Sequence, residues 1–127
     1  MDPQLETALV PVLRDLRRTG APLPARLEDS DWDQSTDSAT AMLWSAGGSG
    51  VGIRVFRDAS LVDQVVDVTD QVQEWAVEEL AVSGRTDWPP CPKHPGTHPL
   101  RAERHDGAAW WACPRDGTPV AEVGTVG

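Results

Sequence analysis

The stretch CPKHPGTHPLRAERHDGAAWWACPRDG, residues 91–117, holds both cysteines and all three histidines of this 127-residue chain. It opens with the turn sequence CPKH (91–94) and closes with the turn sequence CPRDG (113–117). Two ligands three residues apart in a tight turn bring their side chains to one point, and two such turns complete a tetrahedral set. The pattern therefore predicts a metal site, with zinc as the ion.

The residues between the two turns predict a β-hairpin. Asp106-Gly107 stands between short alternating segments, and this dipeptide is typical of a two-residue hairpin loop. The sequence TPVAEVGTV (118–126) supplies a third strand. The predicted order is turn, strand, hairpin, strand, turn, strand.

This layout resembles the zinc-ribbon family, whose usual knuckle is C-P-x-C-G. The resemblance covers about residues 88–126 and departs from the family at two positions, where His94 and Asp116 stand in place of cysteines. It implies a structural zinc ion in a small three-stranded unit. The rest of the chain resembles small uncharacterised bacterial proteins, and that resemblance implies no activity.

Two residues compete for the fourth ligand position. Asp116 has the family's position, whereas His98 has the chemistry that structural zinc sites favour. If the Asp-Gly pair forms the hairpin turn, His98 lies diagonal to Cys113 on one face, and His105 has the opposite parity. The expected ligands are Cys91, His94, His98 and Cys113, with Asp116 as the alternative fourth ligand.

Two other interpretations of these residues stay open. The cysteines could be buried thiols beside surface histidines, or they could form a disulfide. A proline-rich tail of about 40 residues contains too little apolar material to fold unaided, which favours the metal. The expected compartment disfavours the disulfide, because cytoplasmic thiols stay reduced.

The first two-thirds of the chain predicts two amphipathic helices. Residues 2–18 carry apolar side chains at helical spacing after a capping Asp2 and Pro3 at the first helical position, and Pro11 predicts a kink or a late start. Residues 60–82 repeat the pattern with a similar cap.

Between the helices, residues 39–56 predict two strands around the glycine-rich turn GGSGVG (47–52). No Lys-Ser/Thr pair follows, so this is not a nucleotide-binding loop. The acidic segment 27–38 predicts a solvated loop. Its aspartates have the spacing of a calcium-binding loop, but Gln34 and Thr40 replace the glycine and glutamate that such a loop needs.

These elements predict an α+β fold: an N-terminal helix, a β-hairpin, a second helix, and a small three-stranded zinc-ribbon-like C-terminal unit. Two domains are expected. Residues 1–84 form an acidic α/β-hairpin body, and residues 85–127 form the zinc-ribbon-like module.

The formal net charge of −9 lies entirely in residues 1–83, because the acids and bases of residues 84–127 balance. An acidic body disfavours nucleic-acid binding and is compatible with a basic protein partner. Apolar runs are too short for a membrane span, and the acidic start does not resemble a signal peptide. A cytoplasmic protein is therefore expected.

The predicted function is a non-catalytic protein-interaction or adaptor module, because small ribbons usually scaffold a surface. Trp110 and Trp111 have opposite parity on one strand, so one can face the core while the other faces a partner. One alternative is an immunity-type acidic inhibitor of a basic toxin or nuclease. The other is a small zinc-dependent hydrolase with one open metal position and Asp116 or Glu103 as the base.

Overall fold

The computed structural model describes residues 1–127 and shows two helices and two three-stranded antiparallel sheets. In chain order the elements are α1 (Pro3–Arg18), β1 (Arg26–Asp29), β2 (Ser38–Trp44), β3 (Gly50–Phe56), α2 (Leu61–Ala81), β4 (Arg101–His105), β5 (Ala108–Ala112) and β6 (Pro119–Glu122). The predicted α+β class and the small three-stranded C-terminal unit are confirmed.

Helix α1 begins where the sequence predicts. The Asp2 side chain accepts a hydrogen bond from the Gln4 backbone N–H at 2.9 Å and so caps the helix. The helix runs without interruption through Pro11, so the predicted late start is wrong. One missing amide donor is outweighed by the apolar face that the whole helix buries. That face consists of Leu5, Ala8, Leu9, Val12 and Leu16.

Helix α2 also follows its prediction. The Ser60 hydroxyl accepts from the Asp63 backbone N–H at 3.2 Å and caps the first turn. One face of the helix is buried through Val65, Val68, Val72, Trp75, Ala76 and Leu80. Neither helix combines the length and apolarity that a membrane-spanning helix requires.

The first sheet has the order β1-β2-β3, and its β2–β3 hairpin confirms the two strands predicted around the glycine-rich turn. Strand β1 corrects the prediction of a loop over residues 27–38, since Leu27 pairs with Leu43 and the loop begins only after Asp29. This edge strand has one half-buried residue among polar neighbours, so it shows no alternation in the sequence.

The acidic segment does not gather its carboxylates into a cation site. Asp29 accepts the Asp2 backbone N–H at 3.0 Å, and Asp33 lies 3.7 Å from the Arg54 guanidinium. These two carboxylates are thus engaged with other groups of the chain.

The second sheet has the order β4-β5-β6. His105 pairs with Ala108, which confirms the predicted two-residue turn at Asp106-Gly107. Both turn residues have positive φ, +51° and +78°, as a type I′ turn requires. On β5 the two tryptophans face opposite sides, so that Trp111 is buried and its neighbour is half-buried.

The two sheets share one hydrophobic core with the helices. A single cluster of 24 buried residues extends from α1 through α2 to β5. Trp88 and Trp111 meet edge to face in this core, with ring centroids 5.7 Å apart. The Trp88 indole N–H donates to Thr19 Oγ1 at 3.0 Å. The division into domains at residues 84 and 85 stays a prediction.

A buried carboxylate joins the N-terminal helix to the end of the chain. Asp15 is fully buried, and its Oδ2 accepts from the Trp111 indole N–H at 2.8 Å and from the Gly124 N–H at 2.7 Å. Its Oδ1 accepts from the Val126 N–H at 2.9 Å. Charge-assisted hydrogen bonds of this kind compensate the cost of burying the charge.

Candidate metal centre

Four side chains from the quoted stretch converge at one end of the second sheet. They are Cys91, His94, His98 and Cys113. One ligand atom from each lies within 4.8 Å of all the others. They are therefore close enough to bind one metal ion.

The backbone explains how they meet. The His94 N–H donates to the Cys91 carbonyl at 3.2 Å, which forms the first turn. The Leu100 N–H donates to the Pro89 carbonyl at 2.8 Å, and this bond closes the loop so that His98 returns to the first turn. At the end of β5, the Gly117 N–H donates to the Cys113 carbonyl at 2.8 Å and forms the second turn.

Four of the six separations between the ligand atoms are close to those of a tetrahedral site, and all six are within 4.8 Å. His98 Nε2 lies 3.1 Å from His94 Nδ1, and Cys91 Sγ lies 3.8 Å from the same nitrogen. Cys113 Sγ lies 3.5 Å from His94 Nδ1 and 4.0 Å from His98 Nε2. With Zn–N of about 2.05 Å and Zn–S of about 2.3 Å, tetrahedral neighbours lie about 3.3–3.8 Å apart. The observed separations agree to within about half an ångström.

Further contacts prepare these groups for ligation. The Pro99 carbonyl lies 3.1 Å from His98 Nδ1, and a proton on that nitrogen leaves Nε2 free to bind. Both cysteines are buried and free of any disulfide. Sulfur and imidazole donors suit a borderline divalent cation, whereas calcium and magnesium require oxygen ligands.

Asp116, the alternative fourth ligand, lies outside the cluster. Its carboxylate accepts from the Lys93 ammonium at 2.6 Å and from the Thr118 N–H at 2.9 Å. The Lys93 hydrogen bond is the main cause that holds the pKa of Asp116 well below its usual range, and the same pair raises the pKa of Lys93. This ion pair links the first turn to the second, a role that the sequence analysis missed.

His105 and Glu103 lie at the other end of the hairpin from the cluster. His105 Nε2 is 2.8 Å from a Glu103 oxygen, and Arg101 binds the other carboxylate oxygen. The hydrogen bonds from Arg101 and His105 lower the pKa of Glu103. His105 thus lies apart from the other two histidines, as expected from the sequence.

The chain matches no protein-family model, no curated protein and no solved structure. The C-terminal sheet and the Cys-His cluster agree with the zinc-ribbon resemblance in layout. Membership of that family stays a hypothesis that rests on these two features.

Proposed function

We propose that Cys91, His94, His98 and Cys113 bind one structural zinc ion, and that the protein is a non-catalytic protein-interaction module. The observation that carries the proposal is the set of four sulfur and nitrogen donors that lie within 4.8 Å of one another. Structural zinc sites use this donor set and coordination number.

The ion would fix a part of the chain that has little else to order it. Residues 92, 93 and 95–97 of the loop that joins the first turn to β4 are exposed. The ligands before and within this loop would bind the same ion as Cys113 after β5. The ion would thus attach the loop to the sheet. Such a site stabilises a small module by making folding depend on metal binding.

Three features support a binding role over catalysis. Four protein ligands fill a tetrahedral zinc shell and leave no position for an activated water. Asp116 is paired with Lys93, and Glu103 is paired with Arg101 and lies far along the hairpin. The chain therefore offers no free carboxylate at the cluster to act as a general base.

Metal analysis and cobalt spectroscopy test the zinc site. Protein purified without chelators should contain about one zinc per chain. The cobalt-substituted protein should show tetrahedral bands that added azide does not change, because no ligand position is open. His98→Ala should disturb these bands, whereas His105→Ala serves as the control and should leave them unchanged. A metal-free chain with an ordered second sheet contradicts the zinc site, and a strong response to azide supports the hydrolase instead.

An acidic inhibitor of a basic toxin or nuclease is the second candidate function, because residues 1–83 carry the whole net charge of −9. A reading frame for a basic toxin beside the one for this chain would support it. Inhibition of that toxin by the purified protein is the decisive measurement.

A further inference from the structure

A groove of about 540 Å³ runs between α2 and the segment that carries the metal cluster. Helix α2 contributes Asp70, Glu74, Val77 and Glu78 to one wall, and Pro99 and Pro114 line the opposite wall. The groove is thus apolar on one side and anionic on the other.

The anionic wall has no internal counter-charge. Asp70, Glu74 and Glu78 follow one another at helical spacing, are exposed, and take part in no ion pair. Arg101 also lines the groove, but its guanidinium is bound to Glu103. Three carboxylates are therefore free to bind cations that a ligand brings.

The groove also contains a hydrogen-bond acceptor that has no partner within the chain. Gln73 lines the groove and is only 8% exposed. Its Nε2 donates to the Trp88 and Leu100 carbonyls, which uses both amide hydrogens. Its Oε1 accepts no hydrogen bond within the chain. This oxygen can therefore accept a hydrogen bond from an N–H donor that a ligand brings.

The apolar wall adjoins the metal cluster. Pro99 directly follows His98, and Pro114 directly follows Cys113, so two of the four cluster residues hold the wall in place. A metal ion bound to these two residues would restrict the positions of both prolines.

We propose that this groove binds an extended segment of a partner protein in which arginine or lysine alternates with apolar residues. The basic side chains lie along Asp70, Glu74 and Glu78, an N–H group donates to Gln73 Oε1, and apolar side chains cover Pro99 and Pro114. The inference rests on the proposed interaction function and names its site and partner chemistry. The same carboxylates repel the phosphates of nucleic acid.

A labelled peptide tests the groove. We choose a fluorescein-labelled ten-residue peptide of alternating leucine and arginine and follow its anisotropy with zinc-loaded protein. The triple variant Asp70→Asn, Glu74→Gln, Glu78→Gln should bind about tenfold more weakly, because three exposed ion pairs are lost. Raising the salt concentration should weaken binding to the unchanged protein.

A second triple variant removes the same charge elsewhere. Asp58→Asn, Asp106→Asn and Glu122→Gln change exposed carboxylates that do not line the groove, and this protein should bind the peptide within about twofold of the unchanged chain. Metal content and far-ultraviolet circular dichroism verify that both variants are folded. Equal weakening by the two triples would show that binding follows net charge and would overturn the proposal.

Two further results would also overturn it. One is equal affinity for a peptide in which serine replaces leucine, because the apolar wall would then contribute nothing. The other is no binding of the leucine-arginine peptide to protein whose cobalt bands show a closed site. That result would reject the groove as a binding site and retain the structural zinc. Peptide binding to a chain that takes up no zinc would instead reject the metal site and retain the groove.

Discussion

The body of the protein, residues 1–84, and its C-terminal segment, residues 85–127, are held together by different means. The body supplies sixteen of the 25 buried hydrophobic residues, and the C-terminal segment supplies nine. Only four of those nine are neither alanine nor cysteine, namely Trp88, Leu100, Trp111 and Val123. Buried hydrophobic residues make up about one fifth of each region, but those of the segment are smaller on the whole. We therefore expect the segment to rely more on the proposed metal and on a few polar anchors.

Those anchors attach the C-terminal segment to the core that it shares with the body. The segment is bound to α1 through Asp15 and Thr19 and to α2 through Gln73. A change that removes the metal should therefore act on one region, whereas a change that removes an anchor should act on both. The following variants separate these two effects.

Cys113→Ser should have the largest effect. Structural zinc contributes on the order of 10 kcal/mol to the folding of small metal-binding modules, and the variant loses one thiolate ligand. Hydrogen exchange should show faster exchange over residues 88–127 and unchanged protection in α2. Chelator treatment of the unchanged protein should give the same pattern, and His105→Ala should not. Equal loss of protection along the whole chain would show that the body also depends on the metal.

Trp111→Ala should destabilise both regions. The substitution leaves a large cavity in the shared core and removes one donor from Asp15, so unfolding should cost about 3–5 kcal/mol less. Urea denaturation followed by circular dichroism measures the change. Trp110→Ala on the same strand is the control and should cost about 1 kcal/mol, because its side chain is half-buried. Similar losses from the two variants would contradict the central position of Trp111.

Asp15→Asn should have a smaller effect of the same kind. The amide group has nearly the same shape, but its NH₂ would face N–H groups that donate to a carboxylate oxygen in the unchanged protein. The free energy of unfolding should therefore fall by about 2–3 kcal/mol. Thermal denaturation should show the loss, and exchange at Gly124 and Val126 should accelerate. Glu6→Gln, an exposed change on the same helix, should alter stability by less than about 0.5 kcal/mol. An unchanged melting temperature for Asp15→Asn would show that the carboxylate does not stabilise the contact between α1 and the C-terminal segment.

Asp116→Asn should have the smallest effect and decides the fourth ligand. If His98 completes the shell, this variant only weakens an exposed ion pair with Lys93, and zinc affinity should fall less than about fivefold. His98→Ala should reduce the affinity far more, because it removes a ligand. Competition with a chromophoric chelator measures both values. A larger loss of zinc affinity in Asp116→Asn than in His98→Ala would assign the fourth ligand position to Asp116.

Local patterns in the sequence predicted most of the fold. Caps and apolar spacing located both helices, and the Asp-Gly dipeptide set the β4–β5 register that ends next to Cys113. The register argument worked because a two-residue turn fixes which residues share a face. The same register places His105 beside the turn, away from the cluster.

The remaining features depend on contacts between distant residues. Strand β1 shows no alternation because three of its four side chains are exposed at the edge of the sheet. The hydrogen bond from Trp111 to Asp15 joins residues 96 positions apart, and no local pattern signals it. The groove likewise forms only when the second sheet packs on α2, so its acidic residues looked like an ordinary solvated helix face.

The buried Asp15 carboxylate also sets an order of events during synthesis on the ribosome. Two of its hydrogen-bond donors, Gly124 and Val126, are translated 109 and 111 residues after it. Until they emerge, α1 carries a charge on the face that has to be buried, and closing the core over it would leave that charge without partners. Nascent chains stalled before residue 111 should therefore stay sensitive to protease at α1. Docking of α1 is therefore expected only after residues 124–126 have been translated.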